Sequence, residues 1–393
     1  MKRPETAARM VLCCSMIVTG MTSMAGAGTT GHGSGAAARG PAHFVLRGAT
    51  VAGGAGGGPA GPSGPADVEV RDGRIAAVGK AGALSPGGAP VVDVHGRFLA
   101  PAFIDSHVHL AYFPVGRALA AHGVAGAVDL AAPLGWLATS HAPLRVLASG
   151  PMITAVRGYP TDSWGSDGYG LECADAAAAR AAVDRLHAAG TALVKIPITD
   201  PPVLSDAALR AAVERAHALG LRVAVHALAD DEARRAADAG ADILAHTPLE
   251  RLADATVAAW RGRTVISTLG AFGGAARAVE NLTRLRAAGL TVLYGTDLGN
   301  TRLAGIDPRE LALLGDAGLD GAAILAAGTA TPAAFWGTPL DTLGTIAPGK
   351  AASLLVLAAD PRAEPGTLAA PLDVYLDGAR LSPPPPTAAG GEP

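Results

Sequence analysis

Cysteine is nearly missing from this sequence. Of three in 393 residues, Cys13 and Cys14 fall in the N-terminal segment, which leaves Cys173 alone downstream. A single thiol supports neither a disulfide framework nor a thiolate metal site. Net charge is as sparse: a formal value of -3 gives no reason to expect nucleic acid or an anionic membrane surface as a partner. Past the N-terminal segment no apolar run is long enough to span a bilayer, so no integral membrane segment is expected in the mature chain. Aromatics make up only 4%, diluted by alanine-rich helical stretches. What remains is a globular composition, 49% hydrophobic and 17% charged, with ample core. The length suits two or three domains, or one α/β barrel with an accessory domain.

The N-terminus carries the layout of an export signal. Lys2, Arg3 and Arg9 precede the apolar stretch "MVLCCSMIVTGM", and small residues follow in "SMAGAG". Cleavage after Ala25 or Ala27 gives a signal peptide over 1–27 and a periplasmic or secreted protein. Glu5 and the short apolar core run against this reading, and a cytoplasmic location follows if the segment does not function as a signal. Cys13 and Cys14 lack small residues before them, which argues against a lipid anchor. A Gly/Ala/Ser linker occupies 28–42.

"HFVLRGATV", "ADVEVRDGRIAAVG" and "VVDVHGRFLAP" then show short alternating strands with turn signals. Similar segments, "GTIAPGKAASLLVLAAD" and "LDVYLDGARL", return near the C-terminus. Together, 43–100 and 338–381 are expected to form a composite β-sandwich domain, interrupted by the flexible "AGGAGGGPAGPSGPA". The tail over 382–393 is expected to be disordered.

Between them, 101–337 alternates apolar strands with amphipathic helices. "FIDSHVHL", "GVAGAVDL", "RVLASG", "ALVKIP", "RVAVHA", "ADILAH", "TVIST" and "TVLYGTD" make eight strands, most followed by a helix. Asp175 and Ser205 start two of these helices, and Gly190, Gly220 and Gly240 stop three. This is the pattern of a (β/α)8 TIM barrel, whose chemistry gathers at the carboxyl ends of the strands.

Those ends carry polar residues. Strand one ends in His107-x-His109, a spacing that puts both imidazoles on one face of a strand. Strand four ends in Lys195, strand five in His226, strand six in His246 and strand eight in Asp297. One histidine at a strand end is more often structural than a ligand, but that explanation strains when it must cover six residues at one face. Neutral imidazoles and carboxylates suit Zn²⁺, and also Mn²⁺, Fe²⁺ or Co²⁺. Lys195 reads two ways: an ion pair to a barrel carboxylate, or a desolvated amine that adds CO2 to become a carbamate. Asp105 shares the parity of the two histidines and reads equally as their supporting partner or as a buried structural acid. His187 and His217 lie in helical patterns and are expected at the surface.

"PAFIDSHVHL", "GTATPAAFWG" and "GTIAPGKAASLLVLAADP" resemble the strand-one signature, the last barrel helix and the return into the β domain of the amidohydrolase superfamily. "ARRAADAGADILAH" and "YGTDLGN" are similar to its imidazolonepropionase-like and prolidase-like branch. The resemblance implies two divalent metal ions, with Zn²⁺ the first expectation. His107, His109 and Asp297 would hold one, His226 and His246 the other, and a CO2-derived carbamate on Lys195 would bridge them.

It further implies a metal-bridging hydroxide attacking an amide of a small-molecule substrate, with Asp297 as general base and then acid. Xaa-Pro or Xaa-Arg dipeptides and N-acyl amino acids are the substrate types implied. A deaminase fits less well, because "HALAD" supplies no glutamate close behind the strand-five histidine. A lactonase or ester hydrolase would use the same metals, and a non-catalytic ligand-binding barrel is the rival from another class. For substrate contacts the mouth loops offer Tyr112, Arg157, Tyr159, Trp164, Asn300 and Arg302. A homo-oligomer is compatible with all of this.

Overall fold

The structure is a computed structural model that describes residues 43–52 and 64–381. The expected signal peptide over 1–27, the linker over 28–42 and the tail over 382–393 lie outside the described residues, as does 53–63 of the Gly/Pro-rich loop.

The first five strands are β1 (His43–Val51), β2 (Pro65–Arg71), β3 (Arg74–Lys80), β4 (Val91–Asp93) and β5 (Phe98–Pro101). The last three are β16 (Leu354–Leu357), β17 (Asp373–Leu376) and β18 (Ala379–Leu381). Alternating apolar residues give these strands a buried face, and Phe44, Leu46, Val68, Val70, Leu99, Leu354 and Tyr375 gather into one core. The two chain ends meet where β5 pairs antiparallel with β16, Leu354 opposite Pro101 and Leu357 opposite Phe98. All eight strands therefore belong to one hydrogen-bonded sheet, in the order β18-β17-β16-β5-β1-β2-β3 with β4 on β1. Two stacked sheets, as in the expected sandwich, are not found among the described strands, because β5 carries the ladder straight from one chain end to the other.

The middle of the chain holds β6 (Phe103–Val108), β7 (Val124–Asp129), β8 (Arg145–Ala148), β9 (Met152–Ala155) and β10 (Gly170–Cys173). It continues with β11 (Leu193–Pro197), β12 (Arg222–His226), β13 (Ile243–Leu244), β14 (Thr264–Ile266) and β15 (Thr291–Leu293). These ten strands are parallel within three sheets: β6-β7-β8, β9-β10 and β11 to β15 in sequence order. The ladders do not run as one closed circuit. Single backbone bonds stitch them instead: Ala192 N to Ala148 O at 2.9 Å, Ser106 N to Tyr294 O at 2.9 Å and His109 N to Leu298 O at 2.7 Å. The expected third strand is β8, closed by Ser149-Gly150-Pro151, while β9 and β10 are strands that the sequence reading did not assign.

Helices follow most of these strands, as the apolar spacing predicts. Ala176–Ala188 starts where the Asp175 carboxylate accepts from Ala178 N at 2.8 Å, and Asp206–Ala218 where Ser205 Oγ accepts from Ala208 N at 3.2 Å. Asp230–Ala239 ends at Gly240, whose φ of 92° lies in the left-handed region that caps helices. The last expected helix is three: Pro308–Asp316, Gly321–Gly328 and Ala330–Trp336. No described helix is long and apolar enough to cross a membrane.

Candidate metal centre

Strand β6 is buried along its whole length, so its polar side chains must find partners inside the protein. His107 Nδ1 lies 2.9 Å from the carbonyl oxygen of Ala245. A carbonyl only accepts, which assigns the proton to Nδ1 and leaves the Nε2 lone pair facing inward. That Nε2 lies 3.4 Å from Asp297 Oδ1, and His109 Nε2 lies 3.0 Å from the same oxygen. Donor atoms of His107, His109 and Asp297 fall within 4.8 Å of one another, close enough to share one ion.

Two more strand ends reach this cluster. The rings of His107 and His246 have centroids 4.5 Å apart, and those of His246 and His226 also 4.5 Å. His246 Nδ1 lies 3.0 Å from Thr268 Oγ1, a partner from the end of β14 that orients the ring. Lys195 is fully buried, and its Nζ has no hydrogen-bond partner; His107 Nε2 and His109 Nδ1 also lack one. Buried polar atoms without partners are costly, so a cluster of them on facing strand ends fits a bound ion. An ion pair for Lys195, one of its two sequence readings, is not present among the described residues.

Burial pushes the Lys195 amine down to about 7. Burial, reinforced by the Lys195 charge, pushes His226 down to about 3 and holds His107 well below its usual value. For His246, burial and the neighbouring His107 and His226 act the same way. Asp297 goes the other way: burial opposes ionisation, but the neighbouring His107 and His109 rings and the Asn300 amide keep its carboxyl below the usual range. Neutral imidazoles at His107, His226 and His246 beside an ionised Asp297 carboxylate are protonation states suited to a divalent cation.

The backbone under the cluster is braced by buried acids. Asp105 accepts from His107 N at 3.1 Å, from Thr296 N at 3.1 Å and from Thr296 Oγ1 at 2.5 Å. It therefore joins the segment bearing His107 to the segment bearing Asp297 rather than orienting an imidazole. Asp129 accepts from Ala111 N and Ala131 N, each at 3.0 Å, and so holds the turn after His109. Gly295 sits where any Cβ would meet Ile266 Cγ2 at 2.4 Å and His107 Cβ at 3.1 Å, so only glycine lets Asp297 approach the histidines. Asn300 donates to both Asp297 oxygens, at 3.2 and 3.0 Å. Several described histidines away from the cluster have local protein partners, such as His217 with Asp242 at 2.9 Å and His122 with Ala118 O at 2.8 Å.

Aromatic rings crowd the same end. The Trp164 ring lies 5.5 Å from that of His109, Tyr159 5.6 Å from His226 and Phe272 5.1 Å from His246. Trp164 Nε1 donates to the Tyr159 hydroxyl at 2.9 Å, and its ring also meets Tyr112 and Tyr169. Tyr169, Phe272, Thr268 and Thr296 are the site residues the sequence reading did not single out. Arg157 and Arg302 are exposed, the latter lying over the Phe113 ring at 4.7 Å.

The fold and this donor set define a metal-competent α/β protein with its site at the strand ends. The chain belongs to the amidohydrolase family, whose sequence profile matches residues 137–380. That span starts beyond the His107–His109 pair. The chain is 31% identical over 321 residues to an adenine deaminase of Deinococcus deserti, covering 74% of this chain and 53% of that protein. It is 47% identical over 68 residues to an N-acyl-D-aspartate deacylase of Alcaligenes xylosoxydans xylosoxydans, covering 17% and 12%. The chain thus spans about half the length of the first relative and about an eighth of the second.

Among solved structures it is similar to an Xaa-Pro dipeptidase with methionine bound in its active site, at 17% identity and a TM-score of 0.73, covering 86% of this chain and 99% of that one. It is also similar to the ochratoxinase of A. niger, at 18% identity and a TM-score of 0.68, covering 87% and 96%. At these identities the likeness concerns the fold.

Proposed function

We propose that this chain is a metal-dependent hydrolase that cleaves a carbon–nitrogen amide bond in a small molecule, such as an Xaa-Pro or Xaa-Arg dipeptide or an N-acyl amino acid. The carrying observation is the buried Lys195 amine, without a partner, among His107, His226 and His246. Family membership and likeness to proteins named deacylase and deaminase support attack at a carbon–nitrogen bond. The parallel strands are taken to form a (β/α)8 barrel, for which the stitching bonds between β6 and the segment after β15 are the support.

In this reading His107, His109 and Asp297 would hold one ion and His226 and His246 a second, with Zn²⁺ the expected metal. Lys195 would be the residue to add CO2, its nitrogen bonding the carbon and one amine proton passing to water, and as a carbamate it would supply anionic oxygen in place of an amine. Bound divalent metal supplies Lewis acidity towards a carbonyl and lowers the pKa of water from 15.7 to roughly 7. Asp297 handles the proton. Its Oδ1 faces His107 and His109, which leaves Oδ2 to take a proton from the attacking water and return it to the departing nitrogen. Asn300, bonded to both oxygens, fixes the plane of that carboxylate.

Elemental analysis of the purified protein tests the site, with nearly two metal ions per chain expected and one or none overturning the two-metal reading. A panel of dipeptides, N-acyl amino acids and lactones tests the reaction. Turnover confined to lactones would make the chain an ester hydrolase. No turnover with metal fully loaded would favour a ligand-binding barrel.

A further inference from the structure

The ring cluster over the strand ends has a chemical bias. Trp164 stands 5.5 Å from His109, Tyr159 5.6 Å from His226 and Phe272 5.1 Å from His246, so three of the four histidines are flanked by an aromatic face or edge. Tyr112 and Tyr169 back Trp164 at 5.1 and 5.3 Å. The indole has one polar atom, and its N–H is already given to the Tyr159 hydroxyl at 2.9 Å. Trp164 therefore offers an incoming group only apolar surface, and that bond holds the ring in place before anything arrives.

Charge points the same way. Among the described residues Lys195 is the only lysine or arginine that is buried. Arg157 and Arg302, the cations on the neighbouring loops, are exposed, and Arg302 is laid over Phe113. An anionic side group entering beside the histidines would lose its water with no buried guanidinium to replace it.

We infer that the aromatic cluster beside the metal-competent residues selects an aromatic or bulky apolar group flanking the scissile amide over an acidic one, with Trp164 as the specificity-determining residue. This rests on the amide-hydrolase reading above, and it sets the chain apart from a deacylase of acyl-aspartates.

Two readouts separate the inference from that reading. The first is binding to the zinc-loaded protein, by calorimetry, of benzohydroxamate, acetohydroxamate and the anionic succinohydroxamate. The benzoyl compound is expected to bind at least about tenfold more tightly than either of the others, the scale that burying one aromatic ring supplies. Trp164→Ala is expected to bring the benzoyl-to-acetyl ratio close to one, and Trp164→Phe to keep most of it, which separates a lost wall from a misfolded loop. Equal affinities in the wild type, tighter binding of succinohydroxamate or no binding of benzohydroxamate overturns the inference. The second readout is turnover of N-acetyl-phenylalanine against N-acetyl-aspartate. Turnover without an aromatic preference sinks the inference and leaves the hydrolase reading standing. Aromatic preference in binding with no turnover of any amide does the reverse.

Discussion

Thr296 donates twice to Asp105, its hydroxyl to Oδ2 at 2.5 Å and its backbone N–H to Oδ1 at 3.1 Å. Asp105 lies two residues before His107, and Thr296 immediately before Asp297, so this clasp sets the separation between two proposed metal ligands on different segments. Burial pushes the Asp105 carboxyl up to about 7, against which the Thr296 bonds work. Removing the hydroxyl with Thr296→Val leaves Oδ2 buried without a donor. The expected cost is about 1–3 kcal/mol of unfolding free energy. Zinc affinity is expected to fall roughly 10- to 100-fold, as when ligand-supporting groups are lost elsewhere. Denaturant unfolding of the metal-free protein and chelator competition on the loaded protein check the two effects. Lost stability with unchanged affinity would make the clasp a purely structural bond.

Asp297 is the one ligand that also carries a proton in the proposed reaction. Asp297→Asn keeps the shape of the side chain but cannot ionise at Oδ2. Turnover is expected to drop by a factor of about 10² to 10⁴, the usual reach of a positioned acid or base. Metal content measured on the same preparation separates a lost proton carrier from a lost ligand. Near-normal turnover would remove Asp297 from the proton path.

Most residues of the centre were legible because they follow an apolar run: "RVAVHA" at His226, "ADILAH" at His246 and "TVLYGTD" at Asp297; Lys195, expected at the end of strand four, instead lies in the middle of β11, opposite Ala224 and two residues short of its end. In parallel strands, the residue that ends such a run sits at the carboxyl edge whatever the loops do. Asp105 was legible only to its parity, since its partners are the backbone of His107 and the distant Thr296. Phe272 and Thr268 carry no pattern in the sequence. They reach His246 because Glu310, far along the chain, accepts from Leu269 N at 3.1 Å and Gly270 N at 2.6 Å and pins the loop that bears them. Strand β9 was hidden because Ser149-Gly150-Pro151 reads as the end of a strand and the start of a loop. The single terminal sheet was hidden because strand pairing across 250 residues leaves no local trace.

That Glu310 carboxylate gives a pH test of the pinned loop. Burial raises it from 4.5 to about 7, although its backbone partners favour ionisation. The folded state therefore keeps a proton that the unfolded chain releases near its ordinary value. The stability contributed by the protonated form is intact below about pH 4.5 and lost as pH rises towards 7. Between pH 5 and 7 the metal-free wild type is expected to lose on the order of 2 kcal/mol more than Glu310→Gln. Urea unfolding at both pH values measures the difference, and parallel losses would mean that Glu310 ionises freely in the folded protein.

Lys195 allows the sharpest separation of stability from function. Its amine falls from 10.5 to about 7 on folding, so above pH 7 the unfolded chain binds the extra proton. The penalty for burying this group is full below about pH 7 and fades as pH rises through 10.5. Lys195→Met fills similar space without the amine, and in the metal-free state at pH 7 it is expected to be more stable than wild type by roughly 3–5 kcal/mol. The same variant has no nitrogen to add CO2, so metal content is expected to fall from two ions to one and turnover to be lost. In the wild type, uptake of the second ion is expected to require added bicarbonate, and the variant should be indifferent to it. Metal titration in CO2-depleted and bicarbonate-supplemented buffer decides this point. Two ions bound to Lys195→Met, or wild-type uptake blind to bicarbonate, would leave the buried amine without the carbamate role proposed for it.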